Sequence, residues 1–367
     1  MVTARDVARR AGVSTSTVSH VVNATRPVSP ELRDRVLEAM RELGYEPNAV
    51  ARSLKIKRSH TVGLIISDIA NPFFTAVVRG VEDVAQARGY MLIVGNSDED
   101  PGKEEAYLRL LAARRVDGLI LAPSGEPHPY LDRLVREGFP LVFLDRDVAE
   151  LPVPAVLLDS IVAAEAEVRH LIELGHRRIG MIAGRPRISS TNDRVAGYRN
   201  ALSAAGIAFD PSLLVTGGSR TEGGAAAAEA LIEVSPRPSA LFIGNNLMTI
   251  GAVGAVMGRG LAIPDDIAIV GFDDFSWADV FRPRLTTVAQ PTYELGKIAA
   301  DLLVRRIELG DVDPPPRVVL PGELIVRESC GSLGPDGSPG TAGALPKSAT
   351  SPDGGTGTPA ALEVRAG

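Results

Sequence analysis

Cysteine is almost absent from this chain. Cys330 is the single example among 367 residues, so an internal disulfide is excluded, and the usage fits a reducing compartment. No uninterrupted apolar run approaches membrane-spanning length, which argues against a membrane segment. The amino terminus enters polar, helix-forming sequence directly, without the apolar stretch of an export signal, so a cytoplasmic protein is expected. Catalytic vocabulary is equally thin. Of five histidines, His128, His170 and His176 show no metal-ligand spacing, and no glycine loop precedes a Lys-Ser/Thr pair. Gly217-Gly218 and Gly223-Gly224 read as turns and helix starts. No metal, cofactor or enzymatic turnover is expected.

What is present is an uneven distribution of charge. Residues 1–60 hold eleven Lys/Arg against six Asp/Glu, a surplus of five, leaving −11 on the rest of a chain whose net charge is −6. A basic head on an acidic body confines phosphate attraction to one end. Within that head, Thr3-Ala-Arg-Asp6 has capping-box spacing. Val7, Ala8 and Ala11 make an apolar stripe, Gly12 suits a helix stop, and Ser14 can cap a second helix. At about 100° per residue, Val18, Val21 and Val22 cluster on one side of that helix, with Thr15, Ser16 and His20 opposite. A helix with one small apolar face and one face of hydrogen-bonding groups suits the major groove. A solvated surface helix would look the same in isolation. Ser29-Pro30-Glu31 then opens a third helix, and Pro47 to Leu54 gives a segment too short to be a stable helix alone, followed by Lys55, Lys57 and Arg58.

These residues carry a resemblance. Asp6-Val-Ala-Arg-Arg-Ala-Gly-Val-Ser14, Thr17-Val-Ser-His-Val-Val-Asn23, Gly44-Tyr-x-Pro-Asn48 and Ala51-Arg-Ser-Leu54 resemble the LacI/GalR (lactose-repressor) family of bacterial transcription regulators, and the resemblance extends to about residue 329. It implies that Thr15, Ser16 and His20 face bases, with Thr17, Asn23, Arg26 and Tyr45 holding phosphate and orientation. Leu54 would be a minor-groove wedge, with Lys55 beside it. It also implies a homodimer, or a higher oligomer, on palindromic operator DNA.

Beyond Thr61 the pattern changes to short apolar runs separated by amphipathic helices. Strands are expected at 62–66, 91–94, 118–121, 141–144, 179–182, 240–243 and 267–270, with helices at 74–88, 103–114, 161–174, 194–205 and 246–258. Apolar runs joined by helices imply parallel sheets covered on both faces. The expected fold is a small all-α helix-turn-helix headpiece (1–47), a hinge helix and linker (48–60), and an α/β body of two doubly wound parallel-sheet lobes (61–330). The resemblance implies a periplasmic-binding-protein-like body in which the chain crosses between lobes three times. The first lobe would hold about 61–159 and 290–320, the second about 160–289 and 321–330. In residues 331–367, fourteen of 37 are Gly or Pro, which reads as a disordered tail.

Ligands of open α/β sheets sit beyond the carboxyl ends of strands, so the interlobe cleft is the expected effector site. Strand ends supply Phe73, Asp145, Arg146, Ser190, Arg194, Asn246 and Asp273 as candidates. Trp277 either lines the cleft or braces the lobe, with the cleft preferred. Carboxylates, amides and a guanidinium around aromatic faces fit a polyhydroxylated metabolite, a sugar or sugar derivative. Asn246 departs from the Asn-Asp of many sugar-responsive relatives, which questions a standard hexose or pentose. Of three readings, a ligand-controlled DNA-binding repressor leads. A solute receptor conflicts with the basic head and the missing export signal, and a bifunctional enzyme lacks a catalytic constellation.

Overall fold

Local signals set the head. In the computed structural model, which describes residues 2–23, 26–45, 58–125, 128–148, 150–310 and 315–331, it consists of α1 (Ala4–Ala11), α2 (Thr15–Asn23) and α3 (Pro30–Leu43). The capping box forms: Asp6 accepts from the Thr3 N–H at 3.0 Å. Gly12 ends α1 in the left-handed region at φ 63°, where a side chain would be strained. The Ser14 hydroxyl accepts from the Thr17 N–H at 3.1 Å, starting α2. Val7, Ala8, Ala11, Val18, Val36 and Ala39 form the buried head core, with Val21, Val22 and Tyr45 packed against it. Arg35 of α3 donates to the Ala11 carbonyl at 2.5 Å, tying α3 to the end of α1.

The hinge segment 46–57, with Leu54 and Lys55, lies outside the described residues, as do the Asn23 side chain and residues 332–367 of the tail. The linker is described again from Arg58, which donates to the Ile307 carbonyl at 3.1 Å. Asp117 accepts from the Ser59 N–H and hydroxyl and from the His60 N–H at 2.7, 3.0 and 2.8 Å. The linker's end is therefore clamped to the body.

The first lobe contains β1 (Thr61–Ile66), α4 (Pro72–Ala87), β2 (Met91–Asn96), α5 (Pro101–Ala113), β3 (Gly118–Leu121), α6 (Pro129–Arg136), β4 (Leu141–Leu144) and β5 (Ala155–Leu158). The chain crosses into the second lobe for α7 (Ser160–Glu173), β6 (Ile179–Ala183), α8 (Ser189–Ala204), β7 (Leu214–Thr216), α9 (Thr221–Glu233), β8 (Ala240–Ile243), α10 (Asn246–Gly258), β9 (Ala268–Phe272) and β10 (Thr286–Ala289). It returns for α11 (Thr292–Leu309) and β11 (Arg317–Leu320), then crosses a third time into β12 (Glu323–Ile325). The first sheet runs β11-β5-β4-β3-β1-β2, all parallel. The second runs β12-β10-β9-β8-β6-β7, parallel except for β12 against β10. Each sheet reverses its strand order at one point, β1/β3 and β6/β8, where crevices open at the strands' carboxyl ends.

Central strands such as β3, β4 and β8 are buried at every residue, as apolar runs between two helical layers require. The elements without a matching expectation are β5, β7, β10, β11, β12, α6, α9 and α11, and the strands among them are short. The strands are three or four residues long, and several sit at sheet edges or begin with Thr or Arg, so no long apolar run marks them. In α9, Gly223-Gly224 form part of the first turn. Within each lobe, helix pairs meet through glycines. A Cβ on Gly80 would run into the Tyr293 carbonyl, and one on Gly296 into the Val77 carbonyl, so α4 and α11 approach backbone to backbone. Gly80→Ala should therefore force the two helices apart and destabilise the protein by about 1–3 kcal/mol, read as a lower urea midpoint with an unchanged m-value.

Candidate functional site

Both sheets aim their strand ends at one cleft, and the residues following those ends are polar. Asp68 and Asn71 follow β1, Glu99 follows β2 and Asp145-Arg146 follow β4. From the second lobe, Gly184 follows β6, Gly244-Asn245 follow β8 and Asp273 follows β9; Ser190, Thr191 and Arg194 come from α8. These residues, with Phe73, Phe74 and Ser219, line one pocket. Its free volume is about 30 Å³, against several hundred for a typical ligand site. The cleft is thus closed on its own side chains.

The two halves resemble each other chemically. Asp145 and Asp273 each follow a central strand with φ of 65° and 69°, a costly left-handed geometry for a non-glycine residue that the surrounding structure must hold. Each carboxylate lies beside a guanidinium. Arg146 bonds Asp145 at 3.2 Å and Glu99 at 2.7 Å. Burial works against the Arg146 charge, yet Glu99 and Asp145 outweigh it and hold its pKa above the ordinary value. Arg194 donates to the Gly244 carbonyl at 2.6 Å, stacks 3.8 Å over the Phe272 ring and stands 3.8 Å from Asp273. Burial raises the Asp273 pKa, against the opposing pull of Arg194 and the hydrogen bond from Gln290. Glu99 Oε2, Arg146 Nη1 and Arg194 Nε have no hydrogen-bond partner among the described residues. Such orphaned groups are costly in a closed interior, and a hydroxyl-rich guest would satisfy them.

Among the described residues, hydrogen bonds between several residue pairs join the lobes. Asn246 donates to Asn71 at 2.9 Å, Arg220 bonds Asp98 at 2.8 Å, Arg185 bonds the Glu99 carbonyl, and the Asp147 N–H donates to Ser189 at 3.0 Å. The Asn246–Asn71 bond explains why an amide stands at 246. Asn71 Oδ1 also accepts from the Phe73 N–H at 2.9 Å, capping α4, and Asn246 Oδ1 accepts from the Leu247 N–H at 2.7 Å. Those two backbone donors fix both amide orientations, and an amide at 246 can give Asn71 a proton where an ionised carboxylate could not.

Phe73, Asp145, Arg146, Ser190, Arg194 and Asp273 are thus brought together. Asn246 contacts Asn71 instead of lining the pocket. Trp277 corrects the preference for the cleft: it is outside the lining, 43 % exposed. Phe275 takes the buried slot and Trp277 packs on its edge at 5.3 Å. Missed in the sequence were Asp68, Glu99 and the Asp98–Arg220 pair; an acidic run, Asp98-Glu-Asp100, directly after a strand was the available signal. In the head, Thr15, Ser16 and Arg26 are exposed and His20 and Thr17 half-buried, while Val18 is buried opposite. Thr17 also bonds Ser14 through its hydroxyl at 2.8 Å. Among the described residues no helix is long and apolar enough to cross a membrane.

Comparison with known proteins matches two family descriptions: "Bacterial regulatory proteins, lacI family" over residues 3–48, and "Periplasmic binding proteins and sugar binding domain of LacI family" over residues 59–323. The ribose operon repressor of Haemophilus influenzae is 39% identical over 333 residues, 91% of this chain and 100% of that protein. A solved complex of the transcriptional regulator CelR with cellobiose is 35% identical, with TM-score 0.69, covering 90% of this chain and 100% of that one. The lac repressor dimer bound to operator and the anti-inducer ONPF is 29% identical, with TM-score 0.79, covering 90% and 99%. Asn246→Asp should replace a donor by an acceptor facing Asn71. It is expected to weaken the closed arrangement by about 1–3 kcal/mol, with a larger radius of gyration in small-angle scattering. An unchanged radius would show that this bond does not hold the lobes.

Proposed function

This chain belongs to the LacI family of bacterial regulatory proteins and is a ligand-responsive DNA-binding transcriptional regulator; from that premise we propose a dimeric repressor controlled by a sugar-like metabolite in the interlobe cleft. Its family is one of regulators, not enzymes. The observation that carries the effector reading is the closed cleft itself. Carboxylates Asp68, Glu99, Asp145 and Asp273 and guanidiniums Arg146 and Arg194 meet beside Phe73 and Phe74. Such a set bonds paired hydroxyls while the rings cover C–H faces. With about 30 Å³ free, entry requires the lobes to part and the two arginines to shift. Effector affinity then differs between lobe arrangements, and that difference is what drives a switch.

On DNA, Thr15, Ser16 and His20 read base edges, Leu54 and Lys55 engage the minor groove, and Thr17, Asn23, Arg26 and Tyr45 hold phosphates. Because operator DNA is the partner, the protein works in the cytoplasm. Two copies pair through apolar side chains left in water on the body: Met91, 72 % exposed, with Ile93, Val94 and Leu110 on the first lobe, and Trp277 and Val280 on the second. Sedimentation velocity tests the pairing; Met91→Asp with Val94→Asp should move the protein towards its 38.6 kDa monomer. The functional test is selection of genomic fragments by the full-length protein. A recurring palindrome is expected, and no preference over random duplex would sink the reading. On that operator His20→Ala should lose about 1–3 kcal/mol of discrimination at one base pair, and Leu54→Ala should reduce the bend. Uniform loss at every base variant would remove His20 from readout.

A further inference from the structure

The loop leaving β3 touches the second lobe at a point outside the pocket. Ala122, Pro123 and Ser124 are buried, and Gly125 follows them with φ 93°. A Cβ on Gly125 would lie 2.6 Å from the Arg187 carbonyl oxygen and 3.2 Å from the Ile188 Cα. Those atoms belong to the second lobe, in the turn between β6 and α8. The next residue, Ser189, accepts from the Asp147 N–H at 3.0 Å, and Ser190, Thr191 and Arg194 of the same helix line the pocket. At Gly125 the lobes therefore meet backbone to backbone, with no room for a side chain.

One carboxylate holds this loop in place. Glu104 on α5 is fully buried. Its Oε2 accepts from the Ser124 N–H at 2.7 Å, and its Oε1 faces His128 Nε2 at 3.2 Å. His128 Nδ1 in turn accepts from the Leu131 N–H at 3.3 Å, capping α6. A ring nitrogen that accepts carries no proton, so the neutral imidazole has its proton on Nε2 and donates it to Glu104. Both carboxylate oxygens are thus compensated, as burial of a charge requires. Capping α6 needs His128 alone. The bond to Ser124 is a separate tie, and it ends one residue from the contact with the second lobe.

We propose that Gly125 is the stop against which the second lobe closes, and that Glu104 is the positioning residue that sets where the stop stands. This goes beyond the effector reading and holds whichever ligand the cleft takes. A side chain at 125 would meet main-chain atoms, which cannot swing aside as a flexible side chain can, so the lobes would halt short of full closure. Loss of the Glu104 carboxylate would release the Ser124 N–H and let the loop shift under the second lobe. In either case the bond from the Asp147 N–H to Ser189 lengthens, and the α8 residues of the pocket move away from Asp145 and Arg146.

The test is hydrogen–deuterium exchange of the full-length protein, resolved to single amides. The Asp147 N–H reports closure and the Ser124 N–H reports the loop's anchor. Gly125→Ala is compared with Gly138→Ala, which carries a similar left-handed penalty at φ 68° but has nothing within 4 Å of an added Cβ. Gly125→Ala should speed Asp147 exchange about tenfold, the scale of one lost hydrogen bond, while Gly138→Ala leaves it at the wild-type rate. Glu104→Ala should speed exchange at both Ser124 and Asp147. Equal Asp147 rates in the two glycine variants, or an unprotected Asp147 amide in wild type, would overturn the stop. Faster exchange at Ser124 alone in Glu104→Ala would reduce Glu104 to a local brace and overturn its positioning role. Should Glu104→Ala fail to fold, the two glycine variants decide by themselves. No effector is added, so failure of the effector reading would appear separately, as no binding by any sugar tested.

Discussion

Parallel strands place every carboxyl end along one edge of a sheet, and here two such edges face each other. Everything functional in the body depends on that confrontation. The loops leaving the strands cannot be apolar, because they border a cleft that must open to water. They cannot be left unpaired either, because in the closed arrangement they are buried. Asp145 with Arg146 and Asp273 with Arg194 are two solutions of the same problem, one in each lobe, each combining a left-handed backbone with a stacked or bonded guanidinium. Buried charges are tolerated only when so compensated, and the compensation in this cleft is incomplete. The unsatisfied atoms of Glu99, Arg146 and Arg194 are the ones that the proposed hydroxyl-rich effector would satisfy.

The mechanical side rests on three chain crossings between β5 and α7, β10 and α11, and β11 and β12. Three connections restrict the lobes to hinge-like motion, and the glycine contacts between α4 and α11 and between α9 and α10 make each lobe a stiff body. Motion is then concentrated at the crossings and at the interlobe bonds of Asn71–Asn246 and Asp98–Arg220. Exposed ion pairs such as the second contribute little by themselves. In the proposed switch that weakness leaves the balance between lobe arrangements to the effector's difference in affinity for them.

The head communicates with this hinge through one fixed point. Asp117, at the start of β3, takes three hydrogen bonds from Ser59 and His60, and Arg58 reaches α11. The linker thus emerges from the first lobe, the lobe whose placement against a second copy the proposed switch acts on. That gives the proposed effector control a direct route to the DNA-reading helices.

The amino-acid order alone determined the head helices, through the capping box at Thr3, the stop at Gly12 and the opposed faces of α2, because these are interactions over three or four residues. It likewise determined the buried central strands, whose apolar runs report burial on both faces. The short strands β7, β11 and β12 were not legible, since three or four residues with Thr, Arg or exposed positions carry no period. Tertiary structure decided that Glu99 joins Arg146, that Asn246 bridges to Asn71 outside the pocket, and that Phe275 leaves Trp277 in solvent. The reason is common to all three: each depends on which distant loop or helix comes to face it, a matter settled by sheet order and lobe closure and not by any local pattern.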